Sequence, residues 1–180
     1  EQPDTPSFNA ATVWTVGDST VCSFNDTYYY PRYGWGTQLE HYFDSSLTVK
    51  NLALSGRSSK SYVQEEQYQT LMQGMKAGDY LFVGFGHNDE KADEGRYTNP
   101  NGNYLTEGSF ANSLYVNYVK PAQEKGVTVV LCTPIVRRTA TGIWEDSNLH
   151  ITSDSGEFEG GNYAEAIRKM GEDLDITVVD

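Results

Sequence analysis

The sequence predicts an α/β fold, a three-layer α/β/α sandwich around a central parallel sheet of five strands. Three apolar runs point to it. Val13–Gly17, Leu47–Leu54 and Tyr80–Phe85 are rich in β-branched, aliphatic or aromatic residues, and each stops abruptly at small or polar ones. The stops read Gly17-Asp18-Ser19-Thr20, Ser55-Gly56-Arg57-Ser58-Ser59 and Gly86-His87-Asn88-Asp89. Helical stretches separate the runs, and right-handed crossovers between strands then lay the helices on a parallel sheet. Strand ends of this kind can meet at one edge of such a sheet, where open α/β folds place their sites.

Residues 1–11 are polar, contain two prolines and read as an irregular lead-in to one domain over 12–180. Tyr28–Gly36 is a loop rich in tyrosine. From Trp35 to Phe43, the spacing of Trp35, Leu39 and Tyr42 predicts a helix. Ser61–Met75 predicts another, with Tyr62, Glu65, Tyr68 and Met72 at helical spacing and Gly78-Asp79 closing it. Residues 90–108 form a long loop of the kind that is usually functional or mobile. Phe110–Lys125 is helical, with Leu114, Tyr118 and Ala122 toward the sheet and Pro121 as a weak point. Val127–Leu131 is the fourth strand, Ala140–Gly161 a second long loop, Tyr163–Leu174 a helix and Ile176–Val179 the start of a fifth strand. The expected strand order is 2-1-3-4-5, the flavodoxin-like arrangement, and a core strand at the very end has no following helix to cover the sheet.

Composition narrows the function. With 13 basic against 25 acidic residues the net charge is −12, which opposes nucleic-acid binding. The same charge does nothing to attract a polyanionic saccharide, so local basic groups such as Arg57 or Arg137 would have to do so. No apolar run approaches the roughly eighteen residues of a membrane span, and no signal peptide or initiating Met is present. No Cys/His cluster has metal-ligand spacing and no glycine-rich phosphate loop occurs, so the expected chemistry uses no metal and no cofactor. Cys22 and Cys132 fall on strands that are not neighbours in the expected order, so two buried free thiols are expected.

Gly17-Asp18-Ser19-Thr20, the isolated Gly56 in Ser55-Gly56-Arg57-Ser58-Ser59, and Gly86-His87-Asn88-Asp89 resemble the first three sequence blocks of the SGNH (GDSL-type) hydrolases. Tyr33-Gly34-Trp35-Gly36 and Thr133-Pro134-Ile135-Val136-Arg137-Arg138 are similar to the rhamnogalacturonan acetylesterase-like branch. The resemblance covers roughly Val13 to Asp180. It implies Ser19 as nucleophile, and an oxyanion hole made of the Ser19 N–H, the Gly56 N–H and the Asn88 side-chain amide. Each has a plainer reading: Asp18 or Ser19 as a helix cap, Gly56 as a turn glycine, Asn88 as a turn former. His87, Arg57 and Trp35 are candidate substrate contacts, with a structural salt bridge equally open for Arg57. Tyr28, Tyr29, Tyr30, Tyr33 and Trp35 either line a sugar cleft or fill the packing around the first helix. Asp89 is expected to cap or brace its loop.

The family's remaining block is Asp-x-x-His, whose His accepts the serine proton and whose Asp orients that His. No Asp-x-x-His occurs in the sequence. His41, His87 and His150 are the imidazoles present, with His150 four residues after Asp146 in the second long loop. The expectation is that the triad Asp and His lie in a missing C-terminal segment of the same protein. The resemblance then implies a secreted serine esterase that removes O-acetyl groups from a plant cell-wall polysaccharide, rhamnogalacturonan or xylan. The alternatives are another SGNH esterase acting on lipid, thioester or small acyl substrates, and a non-catalytic carbohydrate-binding remnant of the fold.

Overall fold

A computed structural model describes residues 10–24, 28–29 and 31–180. The lead-in up to residue 9, and Tyr30 of the tyrosine-rich loop, lie outside them. The sheet has five parallel strands in the order β2-β1-β3-β4-β5. They are β1 (Thr12–Gly17), β2 (Thr48–Asn51), β3 (Tyr80–Gly84), β4 (Thr128–Cys132) and β5 (Thr177–Val179). The register pairs Gly17 with Gly84, so β1 and β3 end side by side. Neither residue can carry a side chain cheaply: a Cβ on Gly17 would run into the Gly84 carbonyl.

Strand alternation decides which residues meet the helices. Trp14, Val16, Leu81, Val83, Val129 and Leu131 point to one face and are buried in the main core. The helices α1 (Glu66–Gly74), α2 (Phe110–Leu114), α3 (Lys120–Glu124) and α4 (Tyr163–Leu174) supply its other wall, through Leu71, Phe110, Leu114, Ala122, Ile167 and Met170. Burying each of the larger aliphatic side chains contributes about 1.5–3 kcal/mol. Val13, Phe82, Val130 and Cys132 point the other way. With Trp35, Leu39 and Phe43 they line two grooves of about 800 and 690 Å³ that meet at Phe82. No α-helix covers that face among the described residues; two 3-10 turns, Trp35–Thr37 and Leu39–Tyr42, stand there instead. A smaller cluster of Val21, Cys22 and Ala53, with Phe24 and Trp35 against it, closes the end nearer the strand tips.

Three expected helices are modified. The Trp35–Phe43 helix is the pair of 3-10 turns, hinged at Gln38. Ser61–Met75 breaks into a 3-10 turn (Ser61–Gln64) and α1, because Glu65 is extended and begins α1 as its N-cap residue. Phe110–Lys125 runs through α2, a π-turn at Tyr115–Val119 and α3. The π-turn answers Pro121, which has no N–H to give to the Asn117 carbonyl four residues back. The Tyr68 hydroxyl donates to that carbonyl instead, at 3.0 Å. At the opposite end of the sheet, the buried Asp79 carboxylate accepts from Thr12 N–H (2.9 Å), Trp14 Nε1–H (2.9 Å) and Lys76 N–H (3.1 Å). Cys22 and Cys132 are both buried and unbridged, and burial pushes their thiols up to about 11 and about 12.

Candidate active site

Ser19 sits in the turn that ends β1. The turn is built by Asp18. Its carbonyl accepts from Val21 N–H (3.1 Å) and Cys22 N–H (3.0 Å), and its Oδ1 accepts from Thr20 N–H (2.9 Å) and Thr20 Oγ1 (2.7 Å). Residues 18–24 are turn and irregular, with no helix starting among them, so the helix-cap reading of Asp18 and Ser19 falls away. Asp18 Oδ2 is buried and has no hydrogen-bond partner among the described residues. Neither the Ser19 hydroxyl nor its N–H is engaged by another described group.

Gly56 follows β2 with φ +78°, the left-handed region that suits glycine. A Cβ there would meet nothing within 4 Å, and the Gly56 N–H donates to no described acceptor. The stretch therefore presents a bare, unspent N–H at the same sheet edge. Asn88 follows β3 and is held by both ends of its amide. Nδ2 donates to the Arg57 carbonyl at 3.1 Å, and Oδ1 accepts from Arg96 Nη1 at 3.3 Å. An amide nitrogen carries two hydrogens, so one remains. Arg96 is steadied in turn by Asp93, with Nη2 to Oδ2 at 2.7 Å. Arg57 closes on Glu65 at 2.8 Å and on the Ser55 carbonyl at 2.8 Å, so the structural salt bridge is the geometry found. Trp35 is half-buried against the Val21–Cys22–Ala53 cluster and lines the larger groove. Of the loop tyrosines, Tyr28 and Tyr33 are exposed, and Tyr28 packs edge-on against Tyr29.

Asp89 is fully buried beneath Asn88. It accepts from Ser59 N–H (3.0 Å), Ser59 Oγ (2.5 Å) and Thr98 Oγ1 (2.9 Å), which ties the loops after β2 and β3 together as a brace. Burial pushes its carboxyl up to about 7 despite those donors.

Two of the three imidazoles, His87 and His150, stack together. His87 Nε2 meets the Ile135 carbonyl at 2.6 Å and Nδ1 meets Arg137 Nη2 at 2.9 Å. A guanidinium can only donate, so Nδ1 is the acceptor and Nε2 carries the hydrogen. Burial lowers the His87 pKa further than the Asp18 charge raises it, which keeps the ring neutral. His150 lies in a left-handed conformation (φ 60°), fully buried, its ring 4.2 Å from that of His87. Its Nδ1 meets Glu90 Oε2 at 2.9 Å and its Nε2 meets the same Ile135 carbonyl at 2.7 Å. Its N–H donates to Asn148 Oδ1 (2.7 Å) and its carbonyl accepts from Tyr163 N–H (3.0 Å), so every polar atom is used and the strained φ is held in place. Burial raises the Glu90 carboxyl; the His150 hydrogen bond and the neighbouring cationic charges outweigh it and leave Glu90 below the ordinary value. His41 lies exposed on the second 3-10 turn.

Thus the structure brings Ser19, Gly56 and Asn88 to one edge, and no described imidazole hydrogen-bonds the serine. Sequence reading had not singled out Glu90 or Arg96. Glu90 directly follows the Gly86–Asp89 stop, but its partner is 60 residues away. Arg96 follows Asp93 by three residues, a spacing suited to an ion pair.

Comparison with known proteins places the chain among relatives. Residues 15–180 match the GDSL-like lipase/acylhydrolase family. The chain is 33% identical over 170 residues to rhamnogalacturonan acetylesterase RhgT of Bacillus subtilis, covering 93% of this chain and 63% of that protein. It is 31% identical over 183 residues to a rhamnogalacturonan acetylesterase of Emericella nidulans, covering 93% and 67%. The crystal structure of protein YxiM from Bacillus subtilis superposes with a TM-score of 0.66 at 25% identity, over 94% of this chain and 43% of that one.

Proposed function

The chain belongs to the GDSL-like lipase/acylhydrolase family, and on that footing we propose that it is the acyl-transfer core of a serine esterase acting on O-acetylated plant cell-wall polysaccharide, rhamnogalacturonan first. The convergence of three unspent donors beside one free hydroxyl carries the reading. Ser19 Oγ attacks the acetyl carbonyl, forming the C–O bond while the carbonyl oxygen takes the charge. The Ser19 N–H, the Gly56 N–H and the second hydrogen of Asn88 Nδ2 stabilise that oxyanion. One such donor is worth about 2.7–4 kcal/mol of barrier. The sugar alkoxide leaves with the proton taken from Ser19, and water then releases acetate from the serine ester.

The proton must pass through a base. His87 and His150 have both ring nitrogens engaged elsewhere, and His41 is exposed on its turn. The proposal therefore places the triad Asp and His outside these 180 residues, in a further segment of the same protein that acts outside the cell, where the polymer is. The chain spans 63% of RhgT, which leaves room for such a segment in a protein of that length.

The absence of an engaged base also favours a second reading, a carbohydrate-binding remnant without turnover. Acetate release from acetylated rhamnogalacturonan and acetylated xylan separates the two. Residues 1–180 alone should release little, while a form extended to the length of RhgT should release acetate in a reaction abolished by Ser19→Ala. Silence from both forms, with saccharide binding intact in Ser19→Ala, would establish the remnant.

A further inference from the structure

We infer that Arg137 is a specificity residue of this site, a preset cation for the carboxylate of an acidic, uronate-containing O-acetylated saccharide. The inference rests on the reading of Ser19 as the reacting centre and adds what the substrate must carry beside its ester.

Arg137 is fixed at both ends. Its backbone pairs with Asn148 in an antiparallel bridge, N–H to carbonyl at 3.1 Å one way and 2.9 Å the other. Its guanidinium donates through Nη2 to His87 Nδ1 at 2.9 Å. That acceptor exists because His87 is locked in one tautomer by the Ile135 carbonyl. An arginine steadied on a neutral ring keeps its whole charge, unlike one spent on a carboxylate.

Two other arginines of this edge are closed on carboxylates, and Arg138 turns outward to the Gly142 carbonyl. Arg57 closes on Glu65 at 2.8 Å and Arg96 on Asp93 at 2.7 Å. Glu90 lies within electrostatic reach of Arg137, but its hydrogen bonds go to Asn148 Nδ2 (3.2 Å) and His150 Nδ1 (2.9 Å), and it forms no ion pair with Arg137. Among the described residues Arg137 forms no ion pair, and it is exposed. Of its planar fork of five N–H donors only one is engaged by a described group, which leaves donors in the geometry that matches a carboxylate bidentately.

Its place ties it to the reaction. Its partner His87 adjoins Asn88 in sequence and senses the charge of Asp18, the residue before the nucleophile. The molecule's net charge of −12 repels polyanions at long range, so recognition of an acidic polymer must come from a cation held at the site. His87 acts here as a positioning residue.

Calorimetric titration tests this without requiring turnover. The probes are galacturonate–rhamnose oligosaccharides and the same oligosaccharides with their carboxyl groups reduced to alcohols. Wild type should prefer the acidic form. Arg137→Gln should raise the Kd for the acidic form about tenfold or more, leaving the reduced form unchanged. Arg137→Lys should recover part of the loss, and His87→Phe, which removes the anchoring nitrogen, should weaken the acidic form alone. Equal weakening of both probes in Arg137→Gln would make the residue structural and overturn the inference. So would a wild type that binds the two probes alike, or that fails to bind the acidic one. The Ser19 reading stands or falls separately, on Ser19-dependent acetate release.

Discussion

Asp89 makes the brace under Asn88 sensitive to pH in an unusual direction. Its carboxyl is fully buried, and burial carries it from an ordinary 3.8 to about 7. The difference of about 3 units corresponds to about 4 kcal/mol at 1.36 kcal/mol per unit. A raised acid holds its proton in the folded state after the unfolded chain has lost it, so between pH 3.8 and 7 the folded state binds more protons and this group's contribution falls as pH rises. Asp89→Asn keeps an acceptor for Ser59 N–H and Thr98 Oγ1 and removes the ionisation. Urea unfolding of wild type and variant should be compared across pH 4–7.5, with ΔG extrapolated to water at each pH. The variant should gain on the wild type by about 3–4 kcal/mol between pH 4 and 7. A stability difference that stays flat over that range would refute the reasoning and mean that Ser59 and Thr98 hold the carboxylate ionised throughout.

Two further outcomes follow from hydrogen-bond partners removed from solvent in part or in full. Tyr68→Phe removes the hydroxyl that satisfies Asn117 O and should cost about 1–3 kcal/mol in the same unfolding measurement, without changing helix content by circular dichroism. Glu90→Leu leaves His150 Nδ1 and Asn148 Nδ2 without their acceptor and should cost about 3–5 kcal/mol at pH 7. Because the folded Glu90 carboxyl lies below its ordinary 4.5, that contribution is complete above pH 4.5 and fades only as pH falls further; a gap that closes near pH 6 would contradict the assignment.

What was legible in the sequence was local. The run from Thr12 to Gly17 and its hard stop exposed both β1 and the serine turn, because an apolar strand and a tight turn leave adjacent marks. The α4 boundaries at Tyr163 and Leu174 agree with the expected helix, and the structure adds its cap, Asn162 Oδ1 accepting from Glu165 N–H. The split of Ser61–Met75 was not, since its apolar spacing suits a continuous helix while Glu65 turns extended and answers Arg57 across the site loop. Pro121 announced a defect, but its remedy came from Tyr68, whose acceptor Asn117 lies 49 residues away. The Glu90–His150 pair left no trace for the same reason: its members lie 60 residues apart, and the left-handed backbone at His150 contradicts what a histidine locally prefers. Gly56, Asn88 and Ser19 were found as endings of strands, while the wiring that orients Asn88, through Arg57 O and Arg96, is a product of tertiary closure.

The bridge between Arg137 and Asn148 divides the loop after β4 into two regimes. On the β4 and α4 side of the bridge, Ile135 and His150 are pinned together with His87 by hydrogen bonds to the Ile135 carbonyl. Beyond it, Ala140–Asp146 is an exposed excursion whose ends are already joined. Closing a loop costs only about 0.6 kcal/mol for each doubling of its length. The excursion is thus a graft point: its length and residues can drift, in nature or by design, while the chemistry a few residues away keeps its geometry.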